Sequence, residues 1–399
     1  MKIGIMTWWH NTNYGGFLQG VATQRYLSSI GHDAELVEFV HHHVSFKKGW
    51  LLRQGRVNSI RDFIRSILNG FVAVFVDGWL VKRIRRLKKT QLLVRELARS
   101  SSRLFLSVSD IVEAHKYECL LIGSDQVWNP DYQDEAFSYL LRGVDSDVRK
   151  VSYAASVAKQ SVFPHESVYR ECLSRFDAIS IREKQQVEQL SQLSGKDVEW
   201  VVDPTLLLSA DEWRDTLKLA NDEPLRRHIC VYWLGPFREM YRRLVSLTRD
   251  YPGEIHLYSD IEGGRTSHPL YSIFSWMRQI MMRVSLFVAK GVKINFECDA
   301  REFIKDLSTA EMVLTDSFHA VMFSLVFNIP LRFVVSRGRE EMSSRVLDFA
   351  GKIKLNNVIV PIENAFRIEN ISGGIMYDKE ELQNWICFSK GWITRQLMV

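Results

Sequence analysis

The chain has 399 residues, 46% hydrophobic and 25% charged, an ordinary globular balance with length enough for two domains or one large two-lobed unit. Its five cysteines (Cys119, Cys172, Cys230, Cys298, Cys387) are scattered without a CxxC pair, which argues against a disulfide framework or a metal cluster and for a reducing compartment. The formal charge of +5 is uneven: from Lys47 to Arg103 there are 15 Lys or Arg against three acids, Asp62, Asp77 and Glu96, so the remainder is net acidic.

In chain order, 2–7 is a first buried strand, 8–16 (WWHNTNYGG) a loop, 17–30 a helix stopped at Gly31, and 35–40 a second strand. This β-loop-α-β unit lacks GxGxxG and so has no dinucleotide fingerprint. Gly15 and Gly16 at the helix start let a ligand approach the backbone, and Asn11, Asn13 and Gln19 suit sugar hydroxyls or a phosphate; the other reading of Asn-Tyr-Gly-Gly, 13–16, is an ordinary tight turn. Consecutive residues of a strand face opposite ways, which discounts His41-His42-His43 as a metal site. Within the basic block, the apolar stretch 66–81 precedes KRIRRLKK. It reads as a packed helical insert with a solvated basic face, broken at Asp77-Gly78, or as a peripheral membrane contact through 47–103. No nucleic-acid motif accompanies the charge.

Residues 117–122 form a buried strand that ends in GSDQVWNP, 123–130, where a carboxylate, two amides and an indole cluster as in a ligand-positioning loop. Strands at 151–155, 178–181 and 198–202 alternate with helices, which predicts a mostly parallel sheet. After a linker at 221–224, strands at 228–233, 255–258, 312–315 and 331–335 repeat the pattern, with helices at 238–249, 300–307 and 318–327; 271–296 is less readable, and a final helix at 378–397 can cross back to the first lobe. No uncharged apolar window reaches 18 residues, and the N-terminus runs straight into a strand. Neither a transmembrane helix nor a secretory signal is expected, and the expected location is cytoplasmic.

The stretch 315–330, TDSFHAVMFSLVFNIP, organises the second half. Three polar residues able to cap a helix follow a strand, and His319 then enters the first turn of an almost wholly apolar helix. That is where open α/β sheets place ligands and where free N–H groups attract anions. A hydrogen-bonded core histidine is the other reading.

NYGGFLQGVATQRYLSSIGH, GSDQVWNP, SIRE (180–183), VDPTLLL (202–208) and TDSFHAVMFSLVFNIP occur in one order, and together they resemble the polysaccharide pyruvyl transferase family from the first strand to about residue 345. The resemblance implies two Rossmann-like lobes facing across a cleft, as in B-type glycosyltransferases. The expected division is a first lobe of 1–220 with a basic helical insert at 44–105, a second lobe of 221–375, and a bracing C-terminal helix at 376–399.

It also implies transfer of the enolpyruvyl carbons of phosphoenolpyruvate, a co-substrate rather than a cofactor, onto two hydroxyls of a sugar, giving a pyruvate ketal in capsule or exopolysaccharide assembly at the bacterial cell surface. The acceptor would be a sugar or lipid-linked oligosaccharide, reached at the inner face of the membrane if the basic block touches it; no metal is required. His319 is then the proton donor or phosphate contact, with Arg182, Ser317 and Arg345 beside it on the donor. Asn13, Tyr14, Gly15, Gly16, Gln19, Asp125, Gln126, Trp128 and Asn129 are expected on the acceptor side. Active members often carry arginine two residues before the histidine, where this chain has Ser317, and the glycine expected after it is Ala320. Arg337 or Arg339 is a candidate substitute. Asp203 reads first as a cap before Pro204. The alternatives are a sugar-nucleotide glycosyltransferase and a non-catalytic carbohydrate-binding protein.

Overall fold

A computed structural model of the chain describes residues 1–9, 13–39, 79–114, 117–134, 136–144, 147–220, 227–235, 237–259, 291–295, 297–335, 340–367 and 374–398. The expectations for Asn11, 41–43, 66–78, most of 271–296, Arg337 and Arg339 lie outside them.

Two parallel sheets carry the chain. The first is six-stranded, with β1 (Lys2–Met6), β2 (Asp33–Leu36), β3 (Cys119–Ile122), β4 (Arg149–Ala155), β5 (Ala178–Ile181) and β6 (Val198–Trp200) in the order β2-β1-β3-β4-β5-β6. The second is five-stranded, with β7 (His228–Trp233), β8 (Glu254–Ser259), β9 (Val292–Ile294), β10 (Met312–Thr315) and β11 (Leu331–Phe333) in the order β11-β10-β7-β8-β9. Runs such as CLLI and MVLT are buried at every residue, because helices cover both faces of a parallel sheet. All strand pairings within the named strands are parallel, so the strand ends that carry the polar motifs gather along one edge of each sheet.

Helix α1 (Tyr14–Ser29) starts three residues before the apolar spacing does, because the Asn13 side chain accepts from the Gly15 N–H (3.0 Å). It is buried along most of its length. Helix α2 (Trp79–Leu97), from the end of the basic block, reaches across to the second lobe: Lys89 pairs with Glu302 (2.9 Å), and Glu96 forms an ion pair with Arg301 (2.8 Å). This part of the block is a helix packed on the second lobe, with Arg85 and Lys89 paired to Glu297 and Glu302 and Arg86 over the Tyr14 ring.

One apolar core runs through both lobes. Ile5, Val21, Leu206 and Trp213 of the first join Val313, Val321 and Phe323 of the second, together with Trp385 from the C-terminal helix α3 (Lys379–Leu397). That helix is seated on the first lobe by Ser389, whose hydroxyl oxygen accepts the Val202 N–H (3.1 Å), and by Trp385, whose indole donates to the Trp200 carbonyl (3.0 Å).

Candidate functional site

The second-lobe half of the site begins where β10 ends. The Thr315 hydroxyl donates to the Tyr232 carbonyl (2.7 Å) and accepts the Ser317 N–H (2.9 Å), while the Asp316 carboxylate accepts the Leu234 N–H (2.7 Å). These bonds tie the turn to β7 and set Ser317 as the N-cap of helix α4 (Phe318–Val326), although its hydroxyl makes no capping bond. His319 in the first turn then faces α1. A Cβ on Gly15 would lie 2.1 Å from His319 Cγ, so only glycine lets the imidazole reach this position.

The first lobe supplies the counterpart. Arg182, just past β5, donates through Nη1 to Asp203 Oδ2 (2.8 Å), Ser124 Oγ (3.1 Å) and His319 Nε2 (3.4 Å), and through Nη2 to Asp125 Oδ1 (3.3 Å). A guanidinium only donates, so this contact suits a neutral imidazole that accepts at Nε2 and carries its proton on Nδ1. Asp203 does two things at once. Its Oδ1 accepts the Thr205 N–H (3.0 Å) and hydroxyl (2.7 Å) as a cap, while its Oδ2 faces Arg182 and Ser124.

Asp125 has a left-handed backbone (φ 75°), which turns the chain after β3 so that its carboxylate reaches Arg182. Glu183, the neighbour of Arg182, gathers the loop after β4 by accepting the Ser156 hydroxyl and the N–H groups of Val157 (3.1 Å) and Ala158 (3.3 Å). Ser156 Oγ in turn accepts Arg345 Nη1 (3.4 Å).

Arg182 and Arg345 share one aromatic platform: their guanidinium carbons lie 4.9 Å and 5.6 Å from the Phe318 ring centre. Two buried cations thus flank the residue between Ser317 and His319, and Arg182 Nε is buried without a hydrogen-bond partner.

Burial, helped by the nearby guanidiniums of Arg182 and Arg345, holds His319 below its ordinary value, while Asp203 and Asp125 pull the other way. Burial alone would raise Asp203; His319, Arg182 and the Thr205 donors reverse that and keep it ionised. Arg182 stays charged, because its carboxylate partners, Asp203 first, outweigh its desolvation.

Of the residues expected from sequence, Arg182, His319, Arg345 and Asp125 come together here, with Gly15 against the imidazole and Ser317 at the helix cap. Gln19 lies one layer below: its amide donates to the Thr7 hydroxyl (2.7 Å), which donates to the Ser124 carbonyl (2.6 Å). Asn13 caps α1, and Gly16 gives its carbonyl to Gln19 (2.8 Å). Gln126 and Asn129 bond to each other (3.1 Å), Asn129 also capping the Asp131 turn.

Trp128 is fully buried, its indole donating to the Tyr139 carbonyl (2.9 Å). Tyr14 bridges the lobes: its hydroxyl donates to the Cys298 carbonyl (2.9 Å), its ring stacks on Phe303 (4.5 Å), and the Arg86 guanidinium covers it (4.3 Å). The acceptor list thus divides into residues at the site and residues that hold it. Ser124, Ser156, Glu183 and Phe318 were not singled out from sequence; as serines, an acid and an apolar residue in common company, they carry no signal of their own.

A second titratable cluster, His228, His256 and Asp306, has ligand atoms within 4.8 Å of one another and is the one group among the described residues with metal-ligand chemistry. In this structure its members bond to each other: His256 Nδ1 with Asp306 (2.7 Å), His256 Nε2 with Glu254 (2.9 Å), and His228 Nε2 with the Asp306 carbonyl (3.0 Å).

The family model for polysaccharide pyruvyl transferase matches residues 13–337, most of the chain and every element of this site except Arg345. The chain belongs to the polysaccharide pyruvyl transferase family. This member is a transferase of two-lobed GT-B architecture, in a family devoted to polysaccharide pyruvylation. Its fold is similar to that of UDP-GlcNAc 2-epimerase from Methanocaldococcus jannaschii, with TM-score 0.54 and 11% identity over 100% of this chain and 99% of that one. It is also similar to a putative UDP-N-acetylglucosamine 2-epimerase from Listeria monocytogenes, with TM-score 0.52 and 12% identity over 100% and 95% of the two chains. At such identities the likeness is one of fold. No curated protein matches the chain. No helix among the described residues is long and apolar enough to cross a membrane.

Proposed function

We propose that this family member transfers the enolpyruvyl carbons of phosphoenolpyruvate to two hydroxyls of a sugar, forming a cyclic ketal during cell-surface polysaccharide assembly. The observation that carries the reading is the pair of buried guanidiniums, Arg182 and Arg345, on the Phe318 ring beside His319. A small donor bearing both a phosphate and a carboxylate needs two such cations close together. With Ser317 at the position where relatives often carry arginine, Arg345 supplies the second guanidinium from another helix.

In this mechanism His319, held toward its neutral form by burial, gains its proton once the donor's anionic charge lies against it. That charge reverses the effect of burial and the neighbouring guanidiniums. The imidazolium then protonates the methylene carbon of the enol. The adjacent carbon becomes oxocarbenium-like, and one sugar hydroxyl bonds to it, giving its proton to the site. The second hydroxyl displaces phosphate and closes the ring, its proton leaving with the phosphate. Asp203 and Asp125 hold Arg182 in place during these steps. The acceptor is a sugar with two suitably spaced hydroxyls, free or on a lipid-linked oligosaccharide, and the reaction is cytoplasmic.

Thermal stabilisation tests the reading. Phosphoenolpyruvate is expected to raise the melting temperature of the wild type, and less so that of His319→Ala. Stabilisation by sugar nucleotides alone, with none from phosphoenolpyruvate, would overturn it in favour of a sugar-nucleotide enzyme.

A further inference from the structure

We propose that Trp8 and Tyr132 of the first lobe form a sugar-binding corner, a subsite for an unreacted ring of an oligosaccharide acceptor. This deepens the reading above and rests on its sugar acceptor, not on its donor. Trp8 is half-buried and Tyr132 is 43% exposed. Their ring centres lie 5.6 Å apart with planes 56° from each other, so the two rings make a corner rather than a closed stack. Buried Tyr139 supports Trp8 edge-on at 6.3 Å. Among the described residues, neither the Trp8 indole N–H nor the Tyr132 hydroxyl has a hydrogen-bond partner. An aromatic face takes the C–H side of a pyranose ring, whose hydrogens meet the electron-rich π cloud, and polar groups at the ring edges then serve the hydroxyls.

Residues of GSDQVWNP build the turn (Pro130–Tyr132) that presents Tyr132. Asn129 accepts the Asp131 N–H on its side chain (3.0 Å) and the Tyr132 N–H on its carbonyl (3.0 Å), and the Gln133 amide donates to the carbonyls of Val127 (2.9 Å) and Asn129 (3.0 Å). Fixed before binding, the turn gives up little freedom when a sugar arrives. Trp8 follows β1 and the turn follows β3, and these strands pair in parallel, so both lie on the sheet edge that carries Asp125 and Arg182. The link to the donor groups is short. Asp131 pairs with Lys159 (2.9 Å), and three residues before Lys159 the Ser156 hydroxyl accepts Arg345. Three residues of chain span at most about 11 Å, which keeps the corner within a short oligosaccharide's reach of the cations assigned to phosphoenolpyruvate. The Asp131 carboxylate, 60% exposed, adds an acceptor for sugar hydroxyls beside the rings. The layout suits an acceptor longer than one sugar, with the reacting ring at His319 and a neighbouring ring in the corner.

The test is saturation-transfer NMR of the full chain with cellotetraose, mannotetraose, galactotetraose and chitotetraose, in the absence of phosphoenolpyruvate. At least one of them is expected to bind the wild type. Tyr132→Ala should weaken that binding about tenfold, the loss of one aromatic contact. Phe388→Ala, which removes a ring of like exposure (42%) from the C-terminal helix, should leave it unchanged. No binding by any of the four, an undiminished affinity in Tyr132→Ala, or an equal loss in Phe388→Ala would overturn the proposal. Should Tyr132→Ala fail to fold, Trp8→Phe decides: it keeps a ring against Tyr139 and withdraws the indole N–H, so weaker binding supports the corner and an affinity equal to wild type refutes it. Stabilisation by phosphoenolpyruvate is read separately. Glycan binding that needs Tyr132, without any such stabilisation, overturns the donor and leaves the corner; the opposite pattern overturns the corner alone.

Discussion

Replacing Asp203 by Asn changes one atom at the centre of the site and has a calculable consequence. The Arg182 and Asp203 side chains are 1% and 0% exposed and 2.8 Å apart, so solvent screening gives no relief. Removing one partner of a buried pair costs about 3–5 kcal/mol, chiefly because the other charge is left buried and uncompensated. Asn can keep its oxygen on Thr205, but it then turns an amide N–H₂ toward the Arg182 and Ser124 donors. Asp125, 3.3 Å from Nη2, still answers part of the charge, which places the expected loss near the lower bound, about 3 kcal/mol. Urea unfolding followed by tryptophan fluorescence measures it. The same variant removes an anion that supports a charged His319, so the histidine should titrate lower still, as read by NMR. A loss under about 1 kcal/mol with an unmoved His319 would refute the ion pair as the organising contact.

Gly15→Ala is expected to cost about 1–3 kcal/mol by overpacking and to abolish stabilisation by phosphoenolpyruvate, since the new methyl occupies the place of the imidazole. Gly20→Ala on the same helix meets nothing nearer than 3.3 Å and should be close to neutral; equal effects at both positions would refute the special role of Gly15. Two of the buried histidines, His319 and His256, should act on opposite sides of neutrality. His319 is lowered, so its contribution is complete above the ordinary value of 6.5 and is lost as pH falls toward its folded value. His256 is raised by its bonds to Asp306 and Glu254 against the opposing effect of burial, so its contribution is complete below 6.5 and is lost as pH rises through its folded value. His256→Gln should therefore flatten the alkaline limb of a stability–pH curve measured by thermal melts and leave the acid limb; an unchanged alkaline limb would contradict the assignment.

The elements were legible wherever apolar runs met polar punctuation. The strands at 178–181, 228–233 and 312–315 have the bounds read from sequence, because each is a run buried at every residue. Residues 35–40 were read as strand, but pairing runs over Asp33–Leu36, since register with β1 rather than side-chain type decides where a strand stops. Asp203 shows why the site was harder. Its place before Pro204 predicts a cap, and it is one, through Thr205. Nothing local says that its second oxygen will meet an arginine 21 residues earlier and a serine 79 residues earlier. Arg182 and His319 were legible through the resemblance, whereas Tyr14 and Trp128 share the composition of a sugar-binding loop but serve the packing between and within lobes.

The core shared by the two lobes sets a rule for recombining this protein with its relatives. A crossover in the linker after residue 220 would look natural from the order of the strands, yet it would cut through one continuous apolar cluster that Leu206, Val321 and Trp385 hold in common. A chimera joined there inherits two half-cores evolved against different partners, and the residues of helix 379–397 would travel with the wrong half. Parental pieces should instead be exchanged with Lys379–Leu397 kept beside its own first lobe, so that the modular unit is defined by packing and is discontinuous in the chain.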